Sequence, residues 1–308
     1  MNKSTGWLFT PWHITLSSVM SLILFSGFCQ AQQGTKPAPT YPNVAYGPHE
    51  RHVLDFWKAE SRDPTPLVAY IHGGGFTGGR KESISVDILK TLLDAKISVV
   101  AIRYRLLDDA PLPAAHHDAV RALQFLRAKD KAWNIDKTRV GAFGSSAGAQ
   151  LCMYLAFTDD QANPDSDDPL LRESSRLTCV AIIGGQTTRN FDLWVEWIPG
   201  YDEPHSNPLA YFGAKTKEEY LAKVPLVSAL DLISADDPPL FMKYKMAPGD
   251  PVPEDPKKAR SWKVHHVIFG IKLKEQMDAL GVEAGLHYPG AEAKYDSITE
   301  FLIAKLSK

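Results

Sequence analysis

Short apolar runs alternate along this chain with segments in which apolar residues recur every three or four positions. The runs predict buried strands, and the segments predict amphipathic helices. The predicted strands are residues 44–46, 53–57, 66–71, 98–106, 138–143, 177–183, 238–244 and 283–288. The predicted helices are residues 84–93, 113–131, 149–156, 262–280 and 295–306. This alternation favours the α/β class, with a doubly wound, mostly parallel sheet that begins with an antiparallel hairpin.

The N-terminal segment follows neither pattern. Lys3 is the only charged side chain ahead of an apolar run from Ile14 to Phe28, and the small residue Ala31 follows. These features are typical of a secretory signal peptide, here residues 1–31. The apolar run is shorter than the ~20 residues of a membrane-spanning helix. We therefore expect cleavage near Ala31, no stable membrane span afterwards, and a secreted or periplasmic location.

Two further segments divide the remaining chain. Residues 32–42 are rich in proline, glutamine and threonine, which is typical of a linker, so the folded domain is expected to cover residues 43–308. Residues 186–236, after the sixth predicted strand, lose both periodicities and carry many aromatic side chains. Their position predicts a lid, whose aromatic side chains either line a substrate pocket or form a small core of their own.

Composition and charge narrow the possible partners. The 308 residues are 44% hydrophobic and 23% charged, which suits one large globular domain. A formal net charge of −2 gives no basic footprint for nucleic acid, which argues against that class of partner. Cys152 and Cys179 remain after the expected cleavage and lie in apolar runs. Buried free thiols are therefore favoured over a disulfide, although export would permit one.

The stretch Gly144-Ser145-Ser146-Ala147-Gly148 joins a predicted strand to a predicted helix. Strand, G-x-S-x-G and helix are the context of a nucleophile elbow, in which a sharp turn presents the middle serine at the carboxyl edge of a sheet. Ser146 is that serine. Five residues alone would equally describe a glycine-rich loop, so the prediction needs a second motif.

That second motif is His72-Gly73-Gly74-Gly75-Phe76, directly after the strand at 66–71. It has the form of an oxyanion loop, in which glycines let backbone N–H groups turn towards a developing negative charge. Both motifs follow strands, and the carboxyl ends of parallel strands share one edge of a sheet. The sequence therefore predicts a serine nucleophile and its oxyanion donors at that edge.

From about Val44 to the C-terminus, the chain resembles the α/β-hydrolase superfamily, in particular the HGGG-type esterase/lipase branch with its hormone-sensitive-lipase-like and bacterial feruloyl-esterase-like members. The resemblance is carried by residues 72–76, 104–106, the helix after Pro113, residues 144–148 and residues 236–239. It implies hydrolysis of carboxylic esters by a serine, an acid and a histidine, without a cofactor.

The resemblance also assigns roles to particular positions. The oxyanion donors would be the backbone N–H groups of Gly74, Gly75 and Ala147. Asp250 lies about where the family has its acid, with Asp255 as the alternative, although an aspartate in a proline-rich loop also suits a simple turn.

The histidine departs from the family pattern, which places it in the loop after the last strand. No histidine follows His287, and by register Ala293 stands at the expected position. His265 and His266 are the alternatives, with His265 ahead, because the predicted helix that they begin starts at the serine's edge of the sheet. A helix N-terminus disfavours the imidazolium that a base must become, and capping or packing would equally explain the pair.

Two functions remain open. The first is an exported serine ester hydrolase with a displaced or incomplete triad, acting on small acyl esters and, by analogy with the feruloyl-esterase-like branch, on acyl groups of polysaccharides. The second is a non-catalytic hydrolase-fold protein that binds a ligand in the same cleft. The missing histidine favours the second, and the two intact motifs favour the first. A metal hydrolase is disfavoured because no histidine–aspartate cluster has metal-ligand spacing.

Overall fold

The computed structural model describes residues 35–307 together with residues 1, 2, 6 and 8. The expected signal peptide and its cleavage site fall outside the described residues, apart from those four positions, and stay predictions. Strands are β1 Tyr41–Ala45, β2 Val53–Trp57, β3 Thr65–Ile71, β4 Ser98–Ile102, β5 Ile135–Ser145, β6 Cys179–Ile183, β7 Leu240–Lys243 and β8 Ala284–His287. Helices are α1 Val86–Asp94, α2 Ala114–Ala128, α3 Asp130–Trp133, α4 Ala147–Phe157, α5 Phe191–Trp197, α6 Pro208–Phe212, α7 Lys217–Lys223, α8 Ala229–Leu232, α9 Pro256–Val264, α10 Ile268–Leu280 and α11 Ile298–Leu306.

In the described part of the chain, the eight strands form one sheet in the order β1-β2-β4-β3-β5-β6-β7-β8. β2 pairs antiparallel with β1 and β4, and every later neighbour pair is parallel. This arrangement confirms the predicted α/β class with its antiparallel start. β3 and β5 are neighbours, so the two motifs that follow them emerge side by side at the carboxyl edge.

Apolar side chains are buried on both faces of the sheet, as its continuous apolar runs require. Along β3, Leu67 and Ala69 contribute to one cluster, whereas Val68 and Tyr70 contribute to the other. Helices α2, α4 and α10 cover the first face, and α1 and α11 cover the second. Cys152 and Cys179 are buried free thiols, and burial raises the pKa of the Cys179 thiol to about 12.

The region between β7 and β8 differs from its prediction. One helix was expected over residues 262–280, beginning near the two histidines. The structure instead has two helices, α9 and α10, separated by the three residues His265 to Val267. His265 is the C-terminal cap of α9, with φ −116° and ψ 28°. No glycine or proline stands between the two helices.

The segment between β6 and β7 contains α5 to α8. Phe191 and Trp194 are buried with their ring centres 4.7 Å apart, and Trp194 packs edge-on against Phe269 of α10. The buried aromatic side chains of this segment therefore belong to the main core cluster on the first face of the sheet, rather than to a small core of their own. That residues 186–236 act as a lid stays a prediction. No helix in the described part of the chain is both long and apolar enough to span a bilayer.

Candidate active site

Ser146 occupies the sharp turn between β5 and α4. Its φ of 52° and ψ of −121° are a conformation that non-glycine residues rarely adopt. Its N–H donates to the Ile183 carbonyl at the end of β6, and its carbonyl accepts the N–H of Gln150. Strained backbone held by hydrogen bonds on both sides is the geometry predicted for a nucleophile elbow.

The glycines on either side of Ser146 are needed for close backbone packing. A Cβ placed on Gly144 would lie 2.6 Å from the Gly148 carbonyl group, and a Cβ on Gly148 would collide with the carbonyl oxygens of Ile71 and His72. The start of α4 is therefore pressed against the end of β3. This contact places the loop that follows β3 directly beside Ser146.

That loop turns sharply through glycines with positive φ. Gly74 has φ 120° and Gly75 has φ 63°, and the Gly74 carbonyl accepts the N–H groups of Thr77 and Gly78 at 3.0 and 3.1 Å. Within the described residues, no protein group accepts a hydrogen bond from the N–H of Gly74, Gly75 or Ala147. Gly74 and Gly75 line the same cavity as Ser146. The N–H groups of Gly74 and Gly75 thus belong to residues at this cavity and have no acceptor among the described residues, whereas Ala147 is fully buried at the start of α4.

His72 supports the loop. Its ring is fully buried, stacks on Tyr104 with centres 4.4 Å apart, and hydrogen-bonds through Nδ1 to the Gly73 carbonyl at 2.8 Å. The Tyr104 hydroxyl donates to the His72 carbonyl. Burial lowers the pKa of His72 to about 4, so the ring stays neutral at ordinary pH. A neutral, buried and stacked ring suits a structural role.

His265 faces Ser146 across the site. Its Nε2 lies 3.1 Å from Ser146 Oγ, and its Nδ1 lies 2.8 Å from the Ser261 carbonyl oxygen one turn earlier in α9. A carbonyl can only accept, so Nδ1 carries the proton and Nε2 presents its lone pair to the hydroxyl. Its ring also packs against Gly184, and a Cβ added to Gly184 would lie 3.3 Å from Cδ2 of the His265 ring. The position and tautomer are those that a general base requires.

The electrostatic setting of His265 differs from the sequence prediction. It lies at the C-terminal end of α9, whose dipole favours a cation, rather than at a helix N-terminus. Burial nevertheless lowers the pKa of His265, the Ser261 carbonyl raises it in part, and the charge of Lys245 lowers it further. The neutral ring is therefore favoured in the resting site.

The other histidines near this edge do not reach Ser146. His266 is 2% exposed, and its Nδ1 accepts the N–H of Ile268, so it caps α10 and packs against Trp262. His287 ends β8 in register with Lys243 of β7. His205 lines the larger cavity beside Ser146. Its Nδ1, however, hydrogen-bonds the Tyr201 hydroxyl, which belongs to the same segment between β6 and β7.

The predicted acids are not brought to His265. One carboxylate oxygen of Asp250 accepts the N–H of Ala247 at 2.8 Å, closing a turn of the loop after β7. Asp255 is the N-cap of α9 and accepts the N–H of Lys258 at 2.8 Å. Each carboxylate satisfies local backbone donors, which is the turn role that aspartate commonly has in such loops. The Ser261 carbonyl occupies the position where a triad acid would stand.

A chain of buried side-chain hydrogen bonds, absent from the sequence predictions, runs behind the site. Arg189 Nε donates to Gln150 Oε1 at 2.8 Å, Gln150 Nε2 donates to Gln186 Oε1 at 2.6 Å, and Gln186 Nε2 donates to the Val264 carbonyl at 2.7 Å. We call Gln150 and Gln186 the amide pair. It joins the nucleophile helix to the residue before His265. The one available signal was Gln150 itself, a single amide in an otherwise apolar helix.

Ser146 lies between two cavities. The larger has a volume of about 820 Å³ and is lined by the glycine loop, Tyr70, Tyr211 and α9. The smaller has a volume of about 440 Å³ and is lined by Ile183, Met246, Trp262 and the ends of β7 and α9. Both volumes suit small organic groups. An ester bridging the two cavities would pass over Ser146.

Among the described residues, no three histidine, cysteine, aspartate or glutamate side chains are grouped to hold a metal ion.

The comparisons with known proteins agree with this geometry. The BD-FAE family profile matches residues 54–247. Probable carboxylesterase 2 of Arabidopsis thaliana is 32% identical over 164 residues, which cover 47% of this chain and 51% of that protein. Gibberellin receptor GID1A of the same plant is 26% identical over 208 residues, covering 61% of this chain and 60% of that protein. The match thus spans about half the length of the carboxylesterase.

Among solved structures, a truncated form of a carbohydrate esterase from gut microbiota superposes with a TM-score of 0.66. Its sequence is 19% identical, and the match covers 87% of this chain and 96% of that one. Identity at this level shows the fold alone. Together with the family match and the carboxylesterase relative, it confirms the resemblance to the HGGG-type branch of the α/β hydrolases.

The environment of His265 yields a prediction in solution. Because burial lowers its pKa, the ring is expected to titrate below 6.5, the ordinary value for histidine, and the neutral form is expected to be the Nδ1–H tautomer. Long-range proton–nitrogen NMR spectra across a pH series measure both, with a His265→Gln variant for assignment. A midpoint above 6.5 or a neutral Nε2–H ring would contradict this geometry.

Proposed function

This chain belongs to the BD-FAE family, and on that premise we propose that it is a serine ester hydrolase acting on small carboxylic esters, acyl groups of polysaccharides among them. The observation that carries the proposal is the 3.1 Å contact between Ser146 Oγ and the Nε2 of a correctly oriented His265. The glycine loop beside this pair supplies the donors that acyl transfer requires. The carbohydrate part rests on the description of the structural neighbour, a carbohydrate esterase.

In the proposed reaction, Ser146 Oγ attacks the ester carbonyl carbon while its proton passes to His265 Nε2. The carbonyl oxygen becomes an oxyanion held by N–H groups of Gly74, Gly75 and Ala147. Collapse of this intermediate breaks the ester C–O bond, and the alcohol leaves with the proton from His265. Water then attacks the acyl-serine and gives a proton to the same nitrogen. As the bond between the acyl carbon and Ser146 Oγ breaks, His265 returns this proton to Oγ and the carboxylic acid leaves.

The Ser261 carbonyl takes over only part of a triad acid's role. It fixes the tautomer and orientation of His265, as a carboxylate would, but it brings a dipole instead of a full negative charge. The C-terminal end of α9 adds a favourable field for the imidazolium, worth typically about 0.3–1 kcal/mol. We therefore propose a working but incomplete triad, consisting of Ser146, His265 and a backbone carbonyl.

A second candidate is a hydrolase-fold protein that binds its ligand without turnover. Two observations favour it. In the described part of the chain, no carboxylate reaches His265 Nδ1, and one relative of this chain, GID1A, is a receptor. In that case the cavities beside Ser146 would hold a ligand, and the elbow would be retained for its shape.

We also propose export, which rests on the N-terminal sequence alone. The apolar run and Ala31 place the expected cleavage before Gln32. An export route would bring the protein to polysaccharides outside the cytoplasm, which agrees with the proposed substrates.

Ser146→Ala is expected to lower kcat for p-nitrophenyl acetate by at least ~10³-fold, because the nucleophile is lost. His265→Ala is expected to lower it by at least ~10²-fold, because the base is lost. Ser145→Ala and His287→Ala serve as matched controls and should stay within about threefold of the wild type, well short of either loss. Wild-type activity in Ser146→Ala would contradict the proposal. A wild-type protein that neither hydrolyses esters nor reacts with a fluorophosphonate would support the binding protein instead.

Gln186→Met is expected to lower kcat by about tenfold with little change in KM, because the Val264 carbonyl loses its donor and His265 loses part of its support. The fluorophosphonate should still label Ser146, more slowly. Gln124→Met is the matched control, since Gln124 is 1% exposed and donates to backbone carbonyls away from the site. Equal losses in both variants would show a general effect on stability and would contradict a positioning role for Gln186.

Expression of the full sequence in a Gram-negative host tests export. Intact-mass measurement of the periplasmic or culture fraction should give a chain beginning at Gln32. Ala31→Arg should block this cleavage, because signal peptidase requires a small residue there. Recovery of the unprocessed chain in the cytoplasm alone would contradict the proposal.

A further inference from the structure

The charged side chains that line the two cavities beside Ser146 are all lysine or arginine. Lys257 and Arg260 line the larger cavity, and Lys243, Lys245 and Lys258 line the smaller one. Within the described residues, neither lining includes an aspartate or a glutamate. We call these five residues the cationic rim. Low-dielectric walls of a cleft concentrate the field of such charges on whatever binds there.

The cationic rim is not neutralised from within the protein. In the described part of the chain, none of its five members forms an ion pair with a carboxylate, and Lys243 Nζ donates to the backbone carbonyl of Asp296 at 2.8 Å. Elsewhere, lysines on helices do pair, as Lys274 does with Asp278 at 2.7 Å. The whole chain has more acidic residues than basic ones, 36 against 34. The local excess of positive charge is therefore a feature of the site and not of the composition.

Helix α9 concentrates this charge. Its sequence PKKARSWKV contains four basic residues and no acidic one. The nearest acids along the chain are Asp255, Glu254 and Asp250 in the preceding loop. The Asp250 and Asp255 carboxylates accept backbone N–H groups there. The same helix carries the Ser261 carbonyl that orients His265. The element that positions the proposed base thus also places Lys257, Lys258 and Arg260 along the walls of the two cavities beside Ser146.

The smaller cavity combines three lysines with an apolar wall. Ile183, Met246 and Trp262 line it together with Lys243, Lys245 and Lys258. Its volume of about 440 Å³ accommodates a short chain or a ring. An apolar body that ends in a negative group would satisfy both kinds of wall, because the ammonium groups would pair with its charge. A neutral acyl group would leave the ammonium groups of Lys245 and Lys258 without an anionic partner.

We infer that the substrate is an ester that carries a carboxylate on its acyl or its alcohol part, and that the cationic rim selects it, with Lys245 and Lys258 in the smaller cavity as the principal contacts. This inference rests on the proposed esterase function. The specificity arises from attraction between the rim and the carboxylate, while the bond that breaks is the same ester C–O bond.

Two pairs of esters test the inference and separate the two positions of the carboxylate. The acyl pair is mono-4-nitrophenyl adipate against 4-nitrophenyl hexanoate, and the alcohol pair is 4-acetoxybenzoate against its methyl ester. Each enzymatic rate is divided by the rate of uncatalysed hydrolysis. In at least one pair, kcat/KM for the anionic ester should exceed that for the neutral ester by about tenfold or more at low salt. This preference should shrink towards unity as ionic strength rises from about 0.01 M to about 1 M.

The variant Lys245→Gln/Lys258→Gln should reduce the anionic preference from about tenfold to about twofold or less, because both charges in the smaller cavity are removed. Lys90→Gln, an exposed lysine on α1, should leave the preference unchanged. Hydrolysis of neutral esters with no preference in either pair would overturn the inference and leave the proposed function standing. Preference that survives the double variant would overturn the role of these two lysines. Absence of hydrolysis in every arm, with no fluorophosphonate labelling, would overturn both.

Discussion

The contact of backbone against backbone around Gly148 is the constraint on which this site depends. The first turn of α4 can lie against the end of β3 only because positions 144 and 148 have no side chain. Ser146 is thereby forced to a φ of 52°, a conformation that costs on the order of 1–3 kcal/mol. The hydrogen bond to Ile183 and the complete burial of α4 hold it there. The same contact sets the glycine loop beside the serine, so the proposed nucleophile and its oxyanion donors have one structural cause.

The proposed base is held differently, by a backbone carbonyl and, within the part of the chain that the structure describes, by no acidic side chain. The Ser261 carbonyl fixes the tautomer of His265, Gly184 leaves room for its ring, and the amide pair anchors the preceding carbonyl. Arg189 is the first donor in this chain of hydrogen bonds. Its guanidinium carbon lies 4.5 Å from the centre of the Tyr211 ring, and it has no carboxylate partner among the described residues. The positive charge of Arg189 polarises first the Gln150 amide and then the Gln186 amide, because consecutive hydrogen bonds strengthen one another in a low-dielectric interior.

Much of this arrangement could be predicted from the sequence, because its signals are local. Apolar runs and glycine motifs predicted the sheet, the elbow and the oxyanion loop. Topology narrowed the base to His265 or His266, with His265 ahead, but it placed both at a helix N-terminus, whereas His265 ends α9. The break between α9 and α10 could not be predicted, since Val264 to Val267 contain no glycine or proline. Asp250 was assigned as the acid from its register with the family. In the structure its carboxylate instead accepts the N–H of Ala247, three residues earlier, and closes a turn. The amide pair joins residues 36 positions apart, and no local pattern encodes such a contact.

The cationic rim and the absence of a carboxylate on His265 Nδ1 in the described part of the chain have a common electrostatic consequence. Lys245 lowers the pKa of His265, which favours the neutral ring before reaction but opposes the imidazolium that forms when Ser146 gives up its proton. In a complete triad, a buried carboxylate stabilises that cation. Among residues 35–307 no carboxylate contacts His265 Nδ1, but a substrate carboxylate paired with Lys245 and Lys258 would bring such a charge to the site. Such a substrate would neutralise the opposing lysine as it binds and would lower the barrier to proton transfer, so its advantage would be expressed in kcat as well as in KM. The proposed incomplete triad would then be a device for specificity, in which the substrate supplies a negative charge that the described residues do not place beside His265.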